Sequence, residues 1–321
     1  MSDYGSSSSL DVTVPGPRGG PSSSSGDEWA SWSESYPKDG QLEVHISLEG
    51  IVGVGKSTVL RSVMPFLEDD VASRIRLVDE PLGNMRDCLE GAYDALDELY
   101  SDPAHNGVVA QLHIAREVRR HYDNESRHRS GSGRHFNVLL SDRSALSSFP
   151  FIDAYHSVGI FRNFTRDWLT MEHRRGIRGM LLPSHVILMS GDVSDCHARL
   201  LRRGGAGDPL SWADFRRFQS ALERAHHDFF DGLKDAGKVK LHHVRVTSSQ
   251  TKLQVAESVA RIVNSIVKSA GTAAAACGTV DSATDTVSGT PGYYGSDDGE
   301  EEGRGTVQAG EVEGRRRGAK K

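Results

Sequence analysis

Between residues 41 and 270, short apolar runs rich in β-branched residues alternate with longer stretches whose apolar positions recur every three to four residues. The runs are LEVHISLE, RIRLVDE, FNVLLSDR, HVILMS and VKLHHVRV, beginning at Leu42, Arg74, Phe136, His185 and Val239. Helical stretches follow them: Ser57 to Leu67, a segment ending near Tyr100, Ser144 to Ser157, Val193 to Arg203, and Lys252 to Ser269. Repeated strand–helix units predict an α/β fold, with a parallel sheet of about five strands and helices on both faces. Further helices are expected over Gly107 to Tyr122, Phe161 to Gly176 and Trp212 to Leu233. In the first of these, Val108, Leu112, Ala115, Val118 and Tyr122 share one face. The polar segment Asn124 to Arg134 reads as a surface loop.

Outside that region the periodicity disappears. Residues 1–40 are rich in Ser, Gly and Pro, and residues 271–321 pass through small residues to SDDGEEEG and end in GRRRGAKK. Neither stretch carries enough apolar surface to offset its ordering entropy, so both are expected to be disordered tails around one domain at 41–270.

Composition narrows the class. A formal net charge of −6 disfavours a polynucleotide-coating protein. The three cysteines, Cys88, Cys196 and Cys277, are too far apart for a metal spacing or a disulfide framework and fit a reducing compartment. Without an apolar run of membrane-spanning length or a signal-peptide core, the expectation is a soluble intracellular protein, cytoplasmic or nuclear. The basic cluster Arg315 to Lys321 is either a nuclear-import signal or an ordinary basic tail.

Candidate chemistry starts where the first strand ends. The run Gly50-Ile51-Val52-Gly53-Val54-Gly55-Lys56-Ser57 satisfies G-x-x-x-x-G-K-[ST] between a strand and a helix, with Thr58 next. Glycines let backbone N–H groups turn inward around phosphate, Lys56 reaches the β and γ oxygens, and the Ser57 hydroxyl can ligate Mg²⁺. A plain glycine turn would not need Lys-Ser, so a nucleoside triphosphate with Mg²⁺ is the expected ligand. Guanine-reading N-K-x-D is absent. Glu80 ends the second β-run, at the carboxyl edge where open α/β sheets place their chemistry, and there a carboxylate can accept a hydroxyl proton. Asp142-Arg143 ends the third, an acid suited to hydrated Mg²⁺ and a cation suited to a transferring phosphoryl group. A loop acid and a surface ion pair are the plain alternatives. Arg199 and Arg203, four apart before a glycine-rich stretch, suit either a closing lid or a solvated helix face.

Together these residues resemble the deoxynucleoside kinase family, and within it the herpesvirus-type thymidine kinases, over Leu48 to about Leu233. The resemblance implies a three-layer P-loop kinase fold with an Arg-rich lid, and ATP-dependent phosphorylation of a deoxynucleoside 5′-hydroxyl. It makes Glu80, in Glu80-Pro81, the general base, and it makes Asp142 a metal ligand and Arg143 a contact to the phosphate or 5′-oxygen. By order along the chain it makes Tyr100 a sugar contact and Gln111 the reader of the base, with Ile114 lining the same site. Phe149, of Phe149-Pro150, would stack on the base if the segment is a few residues short, the place otherwise falling on Ile152, and Asp208, at the end of the lid, would meet the 3′-hydroxyl. The sequence departs from the family pattern in placing Met85 where a tryptophan is usual and Gly205 where a third lid arginine is, with Arg202 as its possible substitute. Charged readers of cytosine fall on Val118 and Ser148, which favours thymidine. A buried amide facing the wrong base would cost about 1–3 kcal/mol, a preference and not an absolute rule. A nucleoside-monophosphate kinase and a non-catalytic nucleotide-binding protein remain the rival readings. Homodimers are usual in the resembled family.

Overall fold

The computed structural model describes residues 44–80, 98–99, 102–129, 137–203 and 212–277. Five strands, β1 (Val44–Gly50), β2 (Ile75–Val78), β3 (Val138–Asp142), β4 (His185–Gly191) and β5 (Lys240–Val246), form one sheet in the order β2-β3-β1-β4-β5. Every pairing is parallel. β1 and β3 are buried along their whole length, as central strands of a parallel sheet must be. The edge strand β5 leaves Lys240, His243 and Arg245 exposed, and charges of this kind discourage pairing with another chain.

Alternation along the strands divides the core between the two faces of the sheet. Val138 and Leu140 of β3 and Ile187 and Met189 of β4 enter one cluster, with Val59 and Leu60 of α1 (Lys56–Ser62), Val63 just after it, and Val255, Val259 and Val263 of α8 (Lys252–Cys277). Leu139, Val186 and Leu188 enter the other, with Phe149 of α4 (Ser148–Ser157) and Phe230 and Leu233 of α7 (Trp212–Asp235). Helices therefore cover both faces and the fold is three-layered. Along β1 the sequence alternates apolar and polar, which for a solvated sheet would put one side in water. Here His45, Ser47 and Glu49 are as buried as Ile46 and Leu48.

Several boundaries differ from the sequence expectation for identifiable reasons. α1 stops at Ser62 because Pro65 converts the chain to a 3₁₀ turn, Met64–Phe66, before the short α2 (Asp69–Ala72). α3 runs Pro103–Arg129, so it starts four residues before Gly107 and absorbs the first part of the expected loop Asn124 to Arg134. Pro103 suits the first helical position and Asp102 Oδ1 accepts the His105 amide at 3.2 Å, an N-cap arrangement. Gly107 lies mid-helix because a Cβ there would sit 2.8 Å from the Phe161 ring. At the other end Glu125, Arg127 and Arg129 are good helix formers, and polarity alone did not make them a loop. α4 begins at Ser148, not Ser144, with a turn before it. α5 (Asn163–Gly176) and α6 (Val193–Arg203) fall close to expectation. α8 opens on a reciprocal cap, in which the Thr251 amide donates to Gln254 Oε1 at 2.8 Å and the Gln254 amide to Thr251 Oγ1 at 3.2 Å. It continues to Cys277 through an alanine-rich segment, beyond the expected Ser269. Most of the helical segment expected before Tyr100 lies outside the described residues, as do residues 1–40 and 278–321, while residues 271–277 of the expected C-terminal tail are the end of α8. Among the described residues no helix is long and apolar enough to cross a membrane.

Candidate active site

The strand order reverses direction at β1: the chain goes from β1 outward to β2, returns through β3, then crosses to β4 and β5. Open α/β sheets bind ligands at the carboxyl ends of the strands beside such a switch. The loop after β1 and the turn after β3 both open there, with Leu48 level with Asp142 and Gly50 level with Met189.

Gly50, Gly53 and Gly55 of the loop have φ of +132°, +81° and +113°. A Cβ on Gly50 would lie 2.1 Å from the Met189 carbonyl oxygen and one on Gly53 2.7 Å from that of Cys196, so no larger residue fits. Lys56 is buried and its Nζ donates to the Gly50 and Ile51 carbonyls at 3.1 and 3.0 Å. Burial, with the Arg143 charge next, lowers the Lys56 pKa to about 8 against the opposing pull of Asp142, Glu80 and Glu49. Two helices brace the loop from outside. Gln219 Oε1 on α7 accepts the Val52 amide at 3.2 Å, and Arg199 Nη1 on α6 donates to the Gly53 and Val54 carbonyls at 3.4 and 3.5 Å. Ser57 and Thr58 follow Lys56 on the first turn of α1, both half-buried.

At the end of β3, Asp142 is buried, and among the described residues neither of its carboxylate oxygens has a hydrogen-bond partner. A desolvated carboxylate left this way is suited to a cation, and Mg²⁺ commonly takes one or two protein oxygens together with substrate phosphates. Arg143 is the one described non-glycine residue with positive φ, +68°. Its amide donates to Leu48 O at 3.0 Å and its carbonyl accepts Tyr122 Oη at 3.2 Å. The Arg143 Nε lies 2.9 Å from Glu80 Oε1, and its guanidinium carbon stands 4.8 Å from the centroid of the Phe151 ring. Burial raises the Glu80 pKa, Arg143 pulls it back, Asp142 raises it further, and Lys56 opposes. The structure thus brings Lys56, Glu80 and the adjacent pair Asp142-Arg143 together from three separate stretches of chain.

Gln111, on α3, is 1% exposed, and among the described residues its buried Oε1 has no hydrogen-bond partner. Ile114 is half-buried on the same helix, against the first core cluster. Phe149 departs from its expected place: its ring stacks on Phe229 at 5.3 Å and 15° inside the second cluster. Helical geometry explains this, because Phe149 and Phe151 lie about 200° apart around α4 and only one of them can face the reacting groups. That one is Phe151. Tyr100, Gly205 and Asp208 lie outside the described residues, as does Met85, and of Arg203 only the helical backbone is described. Arg202 is exposed at the end of α6.

Glu49, Gln219, Tyr122 and Phe151 were not singled out by the sequence. For Glu49 a signal existed, since a carboxylate in the last strand position before a phosphate loop is an unusual tenant of a buried strand.

A parallel sheet in this order, a glycine loop closing on a buried lysine, and an acid–arginine pair at the switch point define a P-loop phosphotransferase fold. The chain belongs to the deoxynucleoside kinase family, whose family model matches residues 46–268. Solved structures of deoxyadenosine kinase from M. mycoides are similar in fold. The form with bound dCTP gives a TM-score of 0.52 at 14% identity, over 69% of this chain and 99% of that one. The form with products dCMP and a flexible dCDP gives 0.51 at 14%, over 69% and 99%, and the dATP form 0.51 at 14%, over 68% and 99%. No curated protein sequence matches.

Proposed function

We propose that this protein transfers the γ-phosphoryl group of ATP to the 5′-hydroxyl of thymidine, in the manner of a herpesvirus-type thymidine kinase. The observation that carries the reading is the Glu80–Arg143 pair, 2.9 Å apart at the mouth of the phosphate loop with Asp142 and Lys56 in electrostatic reach. Glu80 accepts the hydroxyl proton. Lys56, the loop amides and Arg199 bind the triphosphate, and Arg143 stabilises charge on the transferring group and the 5′-oxygen. Asp142 and Ser57 would hold Mg²⁺, which would neutralise charge on the triphosphate. Phosphoryl transfer needs little covalent help, so positioning and electrostatics supply most of the acceleration.

Gln111 reads the base. Its buried acceptor, without a partner among the described residues, favours a ligand bearing an amide-like edge, and thymine presents an N3–H donor between two carbonyls. Val118 packs against the second core cluster and Ser148 is buried, so neither place offers a charge to a cytosine amino group. Tyr100 and Asp208 are assigned to the sugar, and Ile114 to the wall of the base site.

The test is kcat/KM for thymidine, deoxyuridine, deoxycytidine, deoxyadenosine and thymidine monophosphate with MgATP. Thymidine is expected to lead. A lead for deoxyadenosine or deoxycytidine, the bases of the nucleotides bound in the M. mycoides structures, would overturn the base assignment, and a lead for thymidine monophosphate would overturn the acceptor.

A further inference from the structure

Glu49 takes no part in the chemistry assigned above, yet it stands between the two loops that perform it. It is the residue before Gly50 and has no exposed surface. Its Oε1 accepts the Ser144 hydroxyl at 2.7 Å and its Oε2 the Ser147 hydroxyl at 2.6 Å. Each hydroxyl also accepts a backbone amide: Ser147 Oγ takes Ser144 N–H at 3.1 Å, and Ser144 Oγ takes Leu146 N–H at 3.2 Å. A serine hydroxyl has one proton, so both are fully committed as donors to Glu49 and the turn Ser144 to Ser147 is fixed in one arrangement. That turn follows Arg143, whose positive φ persists only where the surroundings over-determine it. Each carboxylate oxygen is engaged by a serine hydroxyl, and the side chain has no exposed surface. Burial raises its pKa, while Arg143, the two serines and Lys56 draw it down.

We propose that Glu49 is a positioning residue for phosphoryl transfer: by holding the hydroxyls of Ser144 and Ser147 it sets the turn that aims Arg143 at Glu80 and fixes that turn against the phosphate loop. The inference rests on the kinase reading above. Misplacing a catalytic group by about 1 Å costs on the order of 10²-fold in rate.

The experiment is a double-mutant cycle on the full chain, with steady-state transfer to deoxynucleoside as the readout. Glu49→Gln keeps the side-chain volume but turns one acceptor into a donor, so one serine contact is lost. Its kcat is expected to fall about 10- to 100-fold, with both KM values within about twofold of wild type. In an Arg143→Lys background the same substitution is expected to cost little more, because the group it acts through is already altered. Ser147→Ala, a milder cut of the same network, carries the test if Glu49→Gln does not fold. An unchanged kcat, a rise in KM alone, or an equal loss in both backgrounds would overturn the inference while leaving the kinase reading intact. A wild-type protein that phosphorylates no deoxynucleoside would overturn both.

Discussion

Two loops leave neighbouring parallel strands at the same end of the sheet, and both contain positive φ angles. In the loop after β1 these fall on Gly50, Gly53 and Gly55, where nothing but backbone is needed. In the turn after β3 the angle falls on Arg143, whose side chain is needed. A non-glycine residue in the left-handed region carries about 1–2 kcal/mol of strain. Around Arg143 that strain is offset by Leu48 O on its amide, Tyr122 Oη on its carbonyl, Glu80 and Phe151 on its guanidinium, and the Glu49 network behind it. Where residue type relieves the strain, the sequence shows it. Where contacts from distant strands hold it, the sequence shows only the residue.

The largest effect should come from breaking the glycine side. Gly50→Ala would place a Cβ against Met189 O, and the loop would have to move. We expect loss of ATP binding by calorimetry and destabilisation of about 2–4 kcal/mol by urea titration. Next is the base. Glu80→Gln should lower kcat by about 10³-fold with little change in nucleoside binding. In the wild type, burial raises the Glu80 pKa, so its carboxylate protonates at a higher pH than an exposed one. Activity should therefore fall with decreasing pH before the ordinary range near about 4.3 is reached. That acid limb should be missing from the residual activity of Glu80→Gln.

Arg143→Gly separates the two sides of the comparison. Glycine accepts the backbone angle freely, so stability by thermal melt should change by no more than about 1 kcal/mol, while transfer falls about 10²-fold. A large loss of stability would mean that the guanidinium contacts hold the turn. The smallest effect is expected at Gln111→Ala, with the nucleoside KM up about tenfold and the ATP KM unchanged.

The sheet was legible because short runs rich in β-branched residues alternate with stretches of helical period, and the phosphate loop because Gly-x-x-x-x-Gly-Lys-Ser admits few other uses. Glu80 and Asp142-Arg143 were legible as acids and a cation at strand ends, but not their convergence, which depends on the crossing from β2 back to β3. Phe149 and Phe151 were indistinguishable without the phase of α4. Glu49 escaped notice because β1 alternates like a half-solvated strand, whereas its carboxylate is in fact buried and held by the hydroxyls of Ser144 and Ser147.

Product analysis after incubating the full chain with thymidine and MgATP labelled in its γ-phosphoryl group tests the central claim most directly. The account predicts label in thymidine 5′-monophosphate, formed only with Mg²⁺ present and reduced about 10³-fold in Glu80→Gln. Label released solely as inorganic phosphate, with the nucleoside unchanged, would contradict it.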